Sequence, residues 1–169
     1  MDNLISVVRS VLAMTPARCV ALTDNLPAEL VTRKPAPGEW SAAECIQHLL
    51  DTEHIFPSRI RSFLAGKDFA AFDPDRQGSP AGQRTPSEIA HEYASLRLET
   101  LKLLDTLTQA DLSRRVKHAE LGPVSLNEMM NEWAAHELMH VVQAERAVMQ
   151  PFIAESGPWI RYFKDHIAN

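Results

Sequence analysis

Apolar residues recur along this chain at intervals of three and four positions, the spacing that places them on one face of an α-helix. Four segments show this period, and no segment alternates cleanly between apolar and polar residues as a half-buried strand would. The stripes comprise Leu4, Ile5, Val8, Val11 and Leu12; Ile46, Leu49, Leu50, Phe56, Ile60, Phe63 and Leu64; Ile89, Tyr93, Leu96, Leu103, Leu104 and Leu107; and Leu126, Met129, Met130, Trp133, Val141, Ala144 and Val148. The pattern predicts an all-α four-helix bundle in a single domain, residues 1–169.

Three of the four segments begin with a capping box, in which Ser or Thr is followed three residues later by Glu. The hydroxyl and the carboxylate each accept a hydrogen bond from a backbone amide that the first helical turn leaves unpaired. The three boxes are Ser41 with Glu44, Thr85 with Glu88, and Ser125 with Glu128. They predict that the second, third and fourth long helices begin directly after residues 41, 85 and 125.

Residues 65–85 separate the second and third predicted helices and contain three glycines and two prolines. A linker of about 20 residues can span the length of a bundle, so these two helices are expected to run parallel, joined by a long crossover. Its segment 73–78 (Asp-Pro-Asp-Arg-Gln-Gly) resembles the start of a calcium loop. Arg84 occupies the twelfth position, where such a loop needs Glu, so calcium is not expected. The crossover is interpreted either as a solvated loop or as a lid over a functional site.

The composition is that of a folded globular chain, with 45% apolar and 23% charged residues and a formal net charge of −5. No stripe of Lys and Arg is present, so nucleic-acid binding is not expected. No run of about 18 apolar residues and no clear signal peptide are recognised, which predicts a cytoplasmic protein without a membrane span. Cys19 and Cys45 are too few for a disulfide framework and are expected to be small buried side chains.

His136 and His140 are four residues apart in a strongly apolar helical segment, so both rings project from one helix face. A divalent cation would satisfy two such rings and would require a third ligand. His48 is the best candidate, because an antiparallel packing of its helix brings it to a similar height in the bundle. Three imidazoles and water make an open metal site. The alternative is that these histidines are satisfied by hydrogen bonds; the other four, His54, His91, His118 and His166, are expected at the surface.

The segment from His136 to His140 also matches H-E-x-x-H, the zinc peptidase pattern in which Glu is the general base. One large class of these enzymes has a Gly and a third His after this pattern, and this chain has neither at those positions. Within a helical bundle, Glu137 is instead interpreted as a carboxylate near the metal that orients a ring or handles protons. Arg97 can offer a cation to an anionic substrate or pair with a neighbouring carboxylate.

Taken together and in order, several motifs of the chain resemble the DinB/YfiT-like superfamily of four-helix metalloenzymes. The resemblance rests on the segments 37–44 (Pro-Gly-Glu-Trp-Ser-Ala-Ala-Glu), 48–53 and 72–75, on Arg97 with Thr100 and Leu101, and on His136, His140 and Gln143. It implies an up-down-down-up bundle and a metal held by His48, His136 and His140. It also implies zinc or nickel as the metal, and thiol-dependent transferase or isomerase activities among relatives. Many relatives carry Asp where this chain has Glu137.

The leading hypothesis from the sequence is a divalent-metal-dependent enzyme with a small-molecule substrate. It would transfer a low-molecular-weight thiol to an electrophile, with the metal holding the thiolate and Glu137 handling protons. The alternatives are an H-E-x-x-H zinc peptidase and a non-catalytic stress-response or binding module. Homodimer formation is left open.

Overall fold

The computed structural model describes residues 3–73 and 84–168 of the chain. Four long helices dominate these residues, which confirms the all-α four-helix prediction, and one short helix follows the first of them. In chain order the helices are α1 (Leu4–Asn25), α2 (Ala28–Thr32), α3 (Ala42–Ala65), α4 (Pro86–Leu104) and α5 (Leu126–Ala154). Short 3-10 turns at Gln109–Ser113, Gly157–Tyr162 and Lys164–His166 lie in the connection before α5 and in the C-terminal segment.

All three predicted capping boxes are present, and each begins its long helix at the predicted residue. At the start of α3, the Glu44 amide donates to Ser41 Oγ at 3.2 Å, and the Ser41 amide donates to Glu44 Oε2 at 2.8 Å. Local sequence alone therefore determines where α3, α4 and α5 begin.

The four long helices are arranged so that α1 and α3 each pack against both α4 and α5. Residues later in the α4 region contact residues later in α3: Arg84 donates to Gln47, and Arg97 donates to Glu53. α3 and α4 therefore run in the same direction. The path of the crossover that joins them, and with it the segment 73–78 and the lid interpretation, falls largely on residues 74–83, outside the described residues.

The connection before α5 contains a hairpin of two short strands, β1 (Arg115–His118) and β2 (Gly122–Ser125), which pair antiparallel with His118 opposite Gly122. No strand was expected from the sequence, and this prediction is wrong here, because four residues are too few to show an alternating pattern. Gly122 adopts a φ of +74°, a conformation that favours glycine, at the end of the tight connection. Phe69 is bonded to this hairpin, its amide donating to the Lys117 carbonyl at 3.3 Å.

Within the described ranges, α1 is long and apolar enough to cross a membrane by length and composition. The sequence analysis expected no such segment. In the bundle, the apolar residues Leu4, Val8 and Leu12 of α1 are buried in a core cluster with Phe56 and Trp133. The apolar face of α1 thus has a packing role in this fold.

Candidate metal centre

The rings of His48, His136 and His140 converge where α3 faces α5, as the sequence analysis proposed. Their ring centroids are 4.5 to 5.0 Å apart. The Nε2 atoms of His48 and His136 are 3.0 Å apart, and one ligand atom from each ring lies within 4.8 Å of the others. α3 and α5 are antiparallel here, because His48 lies beside His136 and Phe56 stacks on Trp133 eight residues further along α3.

The spacing of these nitrogens fits ligands that share one cation. Two nitrogens each roughly 2.0–2.1 Å from a metal are roughly 2.8–3.4 Å apart when their bond angle lies between a right angle and the tetrahedral angle. The observed 3.0 Å between Nε2 of His48 and Nε2 of His136 lies within that interval. The donor set is three imidazoles, which suits zinc, nickel, copper or iron better than calcium or magnesium.

The second nitrogen of His140 is held by the protein. Nδ1 of His140 donates to Oε1 of Gln143 at 2.9 Å, so the lone pair of a neutral ring is on Nε2. Nδ1 of His136, in contrast, is buried without a hydrogen-bond partner in the described part of the chain. A bound cation would therefore be the main polar interaction that fixes the His136 ring.

All three rings are held in the neutral form that metal ligation requires. Burial lowers the pKa of His48 to about 4, with His140 contributing in the same direction. Burial likewise lowers the pKa of His136 to about 3, assisted by His140, His48 and Arg59. The pKa of His140 is also lowered by burial, although Gln143 and Glu137 oppose the change. The centre is thus ready to bind a cation at neutral pH without first losing protons.

The three rings form one end of a cavity of about 500 Å³ between α3 and α5, a volume suited to a small molecule. Two ridges of side chains line it at helical spacing: His48, Thr52, Phe56 and Arg59 on α3, and Glu128, Glu132, His136 and His140 on α5. Trp40 stacks on the His140 ring, with centroids 5.7 Å apart. The remaining wall comes from Phe69, Phe72 and the β1–β2 hairpin.

Three polar residues of this cavity were missed or misjudged by the sequence analysis. His118 was expected at the surface, yet it is buried and lines the cavity from the end of β1. Arg59 and Glu132 were not singled out, although they follow the helical spacing of His48 and His136. That spacing was the available signal, since Glu132 is one helical turn before His136.

The carboxylate of Glu137 does not join the three imidazoles. Its Oε1 accepts a hydrogen bond from Arg97 at 2.5 Å. Its Oε2 accepts from Tyr93 at 2.5 Å and from Thr15 at 2.9 Å. Glu137 is fully buried among α1, α4 and α5 and is not among the residues that line the cavity. The geometry therefore gives no support to direct proton transfer by Glu137, nor to the peptidase alternative that depends on it.

Arg97 adopts the second of its two expected roles. Besides Glu137, it donates to Glu53 Oε2 at 2.9 Å and to the Leu12 carbonyl at 3.0 Å, and it is buried. Its partners come from α1, α3 and α5, so this one guanidinium, on α4, links all four long helices. Arg97 thus stabilises the packing of the four long helices.

The fold and the site together define a class, a four-helix bundle with three histidines at one end of a small-molecule cavity. The family model of the DinB superfamily matches residues 12–144. The chain therefore belongs to the DinB superfamily, which confirms the resemblance seen in the sequence.

One solved structure with this fold is YfiT from Bacillus subtilis, described as a probable metal-dependent hydrolase with an unusual four-helix bundle topology. It superposes with a TM-score of 0.77 at 16% sequence identity, over 88% of this chain and 87% of that one. This likeness shows the shared fold. A search of curated protein sequences gave no significant match.

Proposed function

We propose that this protein is a divalent-metal-dependent enzyme that acts on a small molecule bound between α3 and α5. One observation carries the proposal: His48, His136 and His140, from two different helices, meet as neutral rings at the end of a cavity of about 500 Å³. Such a cation supplies Lewis acidity and lowers the pKa of a bound water or thiol. Zinc and nickel are the metals proposed first, because both favour imidazole ligands.

Hydrolysis is the reaction class we favour. The described relative is a probable metal-dependent hydrolase, and the cavity contains a carboxylate that can accept a proton from water. That carboxylate is Glu132, one turn from His136. Desolvation raises the pKa of Glu132, an effect that Arg59 partly offsets, so Glu132 is a better base than a carboxylate with an ordinary pKa.

Transfer of a low-molecular-weight thiol is the second candidate, and it uses the same centre. The chain's own thiols are unsuited to be the nucleophile, since burial raises the pKa of both Cys19 and Cys45 to about 12. A thiol nucleophile would therefore have to be a cosubstrate. A binding module without catalysis is the remaining alternative, and it would use the same cavity without turnover.

The test starts with elemental analysis of protein purified without a metal-binding tag. We expect about one equivalent of a transition metal in the wild type, loss of that metal in His136→Ala, and retention in His54→Ala, an exposed histidine on α3. Hydrolysis of activated aryl esters and conjugation of thiols to chlorobimane are then compared. Absence of stoichiometric metal would refute the proposal, and metal without turnover in either assay would favour the binding module.

Glu132→Gln separates the role of the carboxylate from metal binding. We expect unchanged metal content and a roughly 100-fold lower rate, the usual contribution of a general base. Glu99→Gln is the matched control, because Glu99 is exposed on α4 and pairs with Lys102 at the surface. Equal rates for Glu132→Gln and the wild type would exclude Glu132 as the base.

A further inference from the structure

One wall of the cavity carries two hydrogen-bond donors that the metal centre does not use. Arg59, on α3, places its guanidinium carbon 5.1 Å from the centre of the Phe69 ring. His118, at the end of β1, packs edge-on against the same ring, with centroids 5.5 Å apart. Phe69 is fixed to the hairpin by two backbone hydrogen bonds, with Lys117 and Ala119. The two donors therefore contact a common aromatic ring in the wall of the cavity.

Arg59 is half-buried, and its contacts are mainly with aromatic faces. No hydrogen bond or ion pair engages its guanidinium among residues 3–73 and 84–168. Burial lowers the pKa of Arg59, an effect that Glu132 opposes, but a guanidinium remains protonated in proteins. A desolvated cation with unused N–H groups is a strong binding partner for an oxyanion.

His118 offers the second donor through its tautomer. Its Nδ1 accepts hydrogen bonds from the backbone amides of Glu120 and Leu121, both at 3.2 Å. Because Nδ1 is an acceptor, the proton of the neutral ring is on Nε2. No hydrogen bond of the described residues uses that Nε2–H, and the His118 side chain lines the cavity. The chain turn after β1 thus leaves the Nε2–H of a cavity-lining residue available as a donor.

The charges around the cavity favour an anion over a cation. Three carboxylates lie at its border, but the Glu128 carboxylate accepts two hydrogen bonds in the Ser125 capping box, and Glu120 is exposed to solvent. Glu132, the remaining one, is also exposed. Against it stand the guanidinium of Arg59 and the positive charge that a divalent cation held by the three histidines would add.

We propose that Arg59 and His118 form an anion subsite, which binds a carboxylate or similar oxyanion on a small substrate with an apolar body. The apolar body would lie against Phe56, Phe69 and Phe72, between the subsite and the metal centre. The inference rests on the proposed function, because it assigns a substrate class to the same cavity. Its test is made on metal-free protein, so that failure of the subsite and failure of the metal centre are separate results.

The probe pair is phenylacetate and its neutral analogue phenylacetamide, titrated into the metal-free full-length chain by calorimetry. We expect phenylacetate to bind more tightly than the amide, and Arg59→Gln to weaken phenylacetate roughly 10-fold or more while leaving the amide unchanged. Arg61→Gln is the matched control, since Arg61 is exposed on the same helix two residues away. Arg59→Lys should retain part of the preference because it keeps the charge.

His118→Asn tests the second donor. The Asn oxygen can still accept from the Glu120 and Leu121 amides, whereas the Nε2–H is lost, so the turn is preserved and only the donor is removed. We expect phenylacetate binding to weaken several-fold. Equal affinities for phenylacetate and phenylacetamide, no binding of phenylacetate by the wild type at millimolar concentration, or unchanged binding in Arg59→Gln would each overturn the proposal. Circular dichroism confirms that each variant is folded.

Discussion

The Nε2 atom of His48 lies 3.0 Å from the Nε2 atom of His136, although 88 residues separate them in the chain. Two neutral imidazoles at this distance share one hydrogen bond, so one nitrogen must carry a proton. A cation between them removes that requirement, because both rings then present lone pairs. The contact is thus better suited to a metal site than to a core hydrogen bond alone.

Removal of the metal should therefore destabilise the protein. If the centre binds zinc at a concentration 1,000-fold above its Kd, the linkage stabilises the folded state by about 4 kcal/mol and the melting temperature falls by about 10 °C on chelation. Differential scanning calorimetry with and without a chelator measures the change. His136→Ala should melt at the same temperature under both conditions, whereas His54→Ala should behave like the wild type.

Much of this structure follows from short-range features of the sequence. Ser41, Thr85 and Ser125 each satisfy backbone donors within their own first turn, so these helix starts need no knowledge of the rest of the chain. The pairing of His136 with His140 is equally local, because helical spacing fixes it. His48 required one further assumption, that α3 and α5 are antiparallel.

The features that sequence analysis missed depend on contacts between distant segments. His118 is buried because the hairpin folds against Phe69, and nothing within its four-residue strand indicates that packing. Glu137 is adjacent to His136, yet neighbouring residues on a helix point about 100° apart, so its carboxylate meets Arg97 instead of the metal centre. Motif adjacency is a poor guide to which side chains face the same cavity.

Glu137→Gln should reduce stability while preserving the metal. The neutral amide leaves the buried Arg97 without one of its two carboxylate partners and disturbs the bond from Tyr93, so we expect a loss of about 3 kcal/mol in urea unfolding. Metal stoichiometry of the folded variant should remain that of the wild type. This combination identifies Glu137 as a positioning residue.

Two other carboxylates provide comparisons for that experiment. Glu145 forms a partly exposed ion pair with Arg18, so Glu145→Gln should cost no more than about 1 kcal/mol. Among the described residues, Glu53 has one oxygen without a hydrogen-bond partner, and burial raises its pKa against the effect of Arg97, so Glu53→Gln should cost less than Glu137→Gln. A metal-free but fully stable Glu137→Gln protein would contradict the positioning role.

Metal-free protein should lose stability as the pH falls through the titration range of unfolded histidine. The pKa of His48 is about 4 in the folded state and 6.5 ordinarily, so between these values the unfolded chain takes up a proton that the folded chain does not. Each such histidine gives a slope of at most about 1.4 kcal/mol per pH unit, with stability decreasing toward acid. Well above pH 6.5 both states are neutral and the contribution is constant.

The effect of His48 is isolated by comparing the wild type with His48→Gln, because carboxylates titrate over part of the same range. Urea unfolding should show that the free energy of unfolding falls less steeply from pH 7 to pH 4 for the variant. The difference in slope should correspond to the uptake of about one proton. Identical slopes for the two proteins would mean that His48 is not held neutral in the folded state. Zinc should stabilise the wild type more than His48→Gln at neutral pH, and this effect should disappear at acid pH, where protons compete for the rings.

Gln143 should control metal affinity without contacting the metal. Its Oε1 accepts the Nδ1 proton of His140 at 2.9 Å, which keeps the lone pair on Nε2 and fixes the ring orientation. Loss of such a partner typically weakens metal binding 10- to 100-fold, so we expect Gln143→Leu to raise the zinc Kd by roughly that factor in chelator competition.

Gln143→Glu should bind zinc at least as tightly as the wild type, because a carboxylate makes the ring more basic. Gln109→Leu, at an exposed position, is the control and should leave the Kd unchanged. An unchanged Kd in Gln143→Leu would show that His140 does not ligate through Nε2, and the donor assignment for that ring would have to be revised.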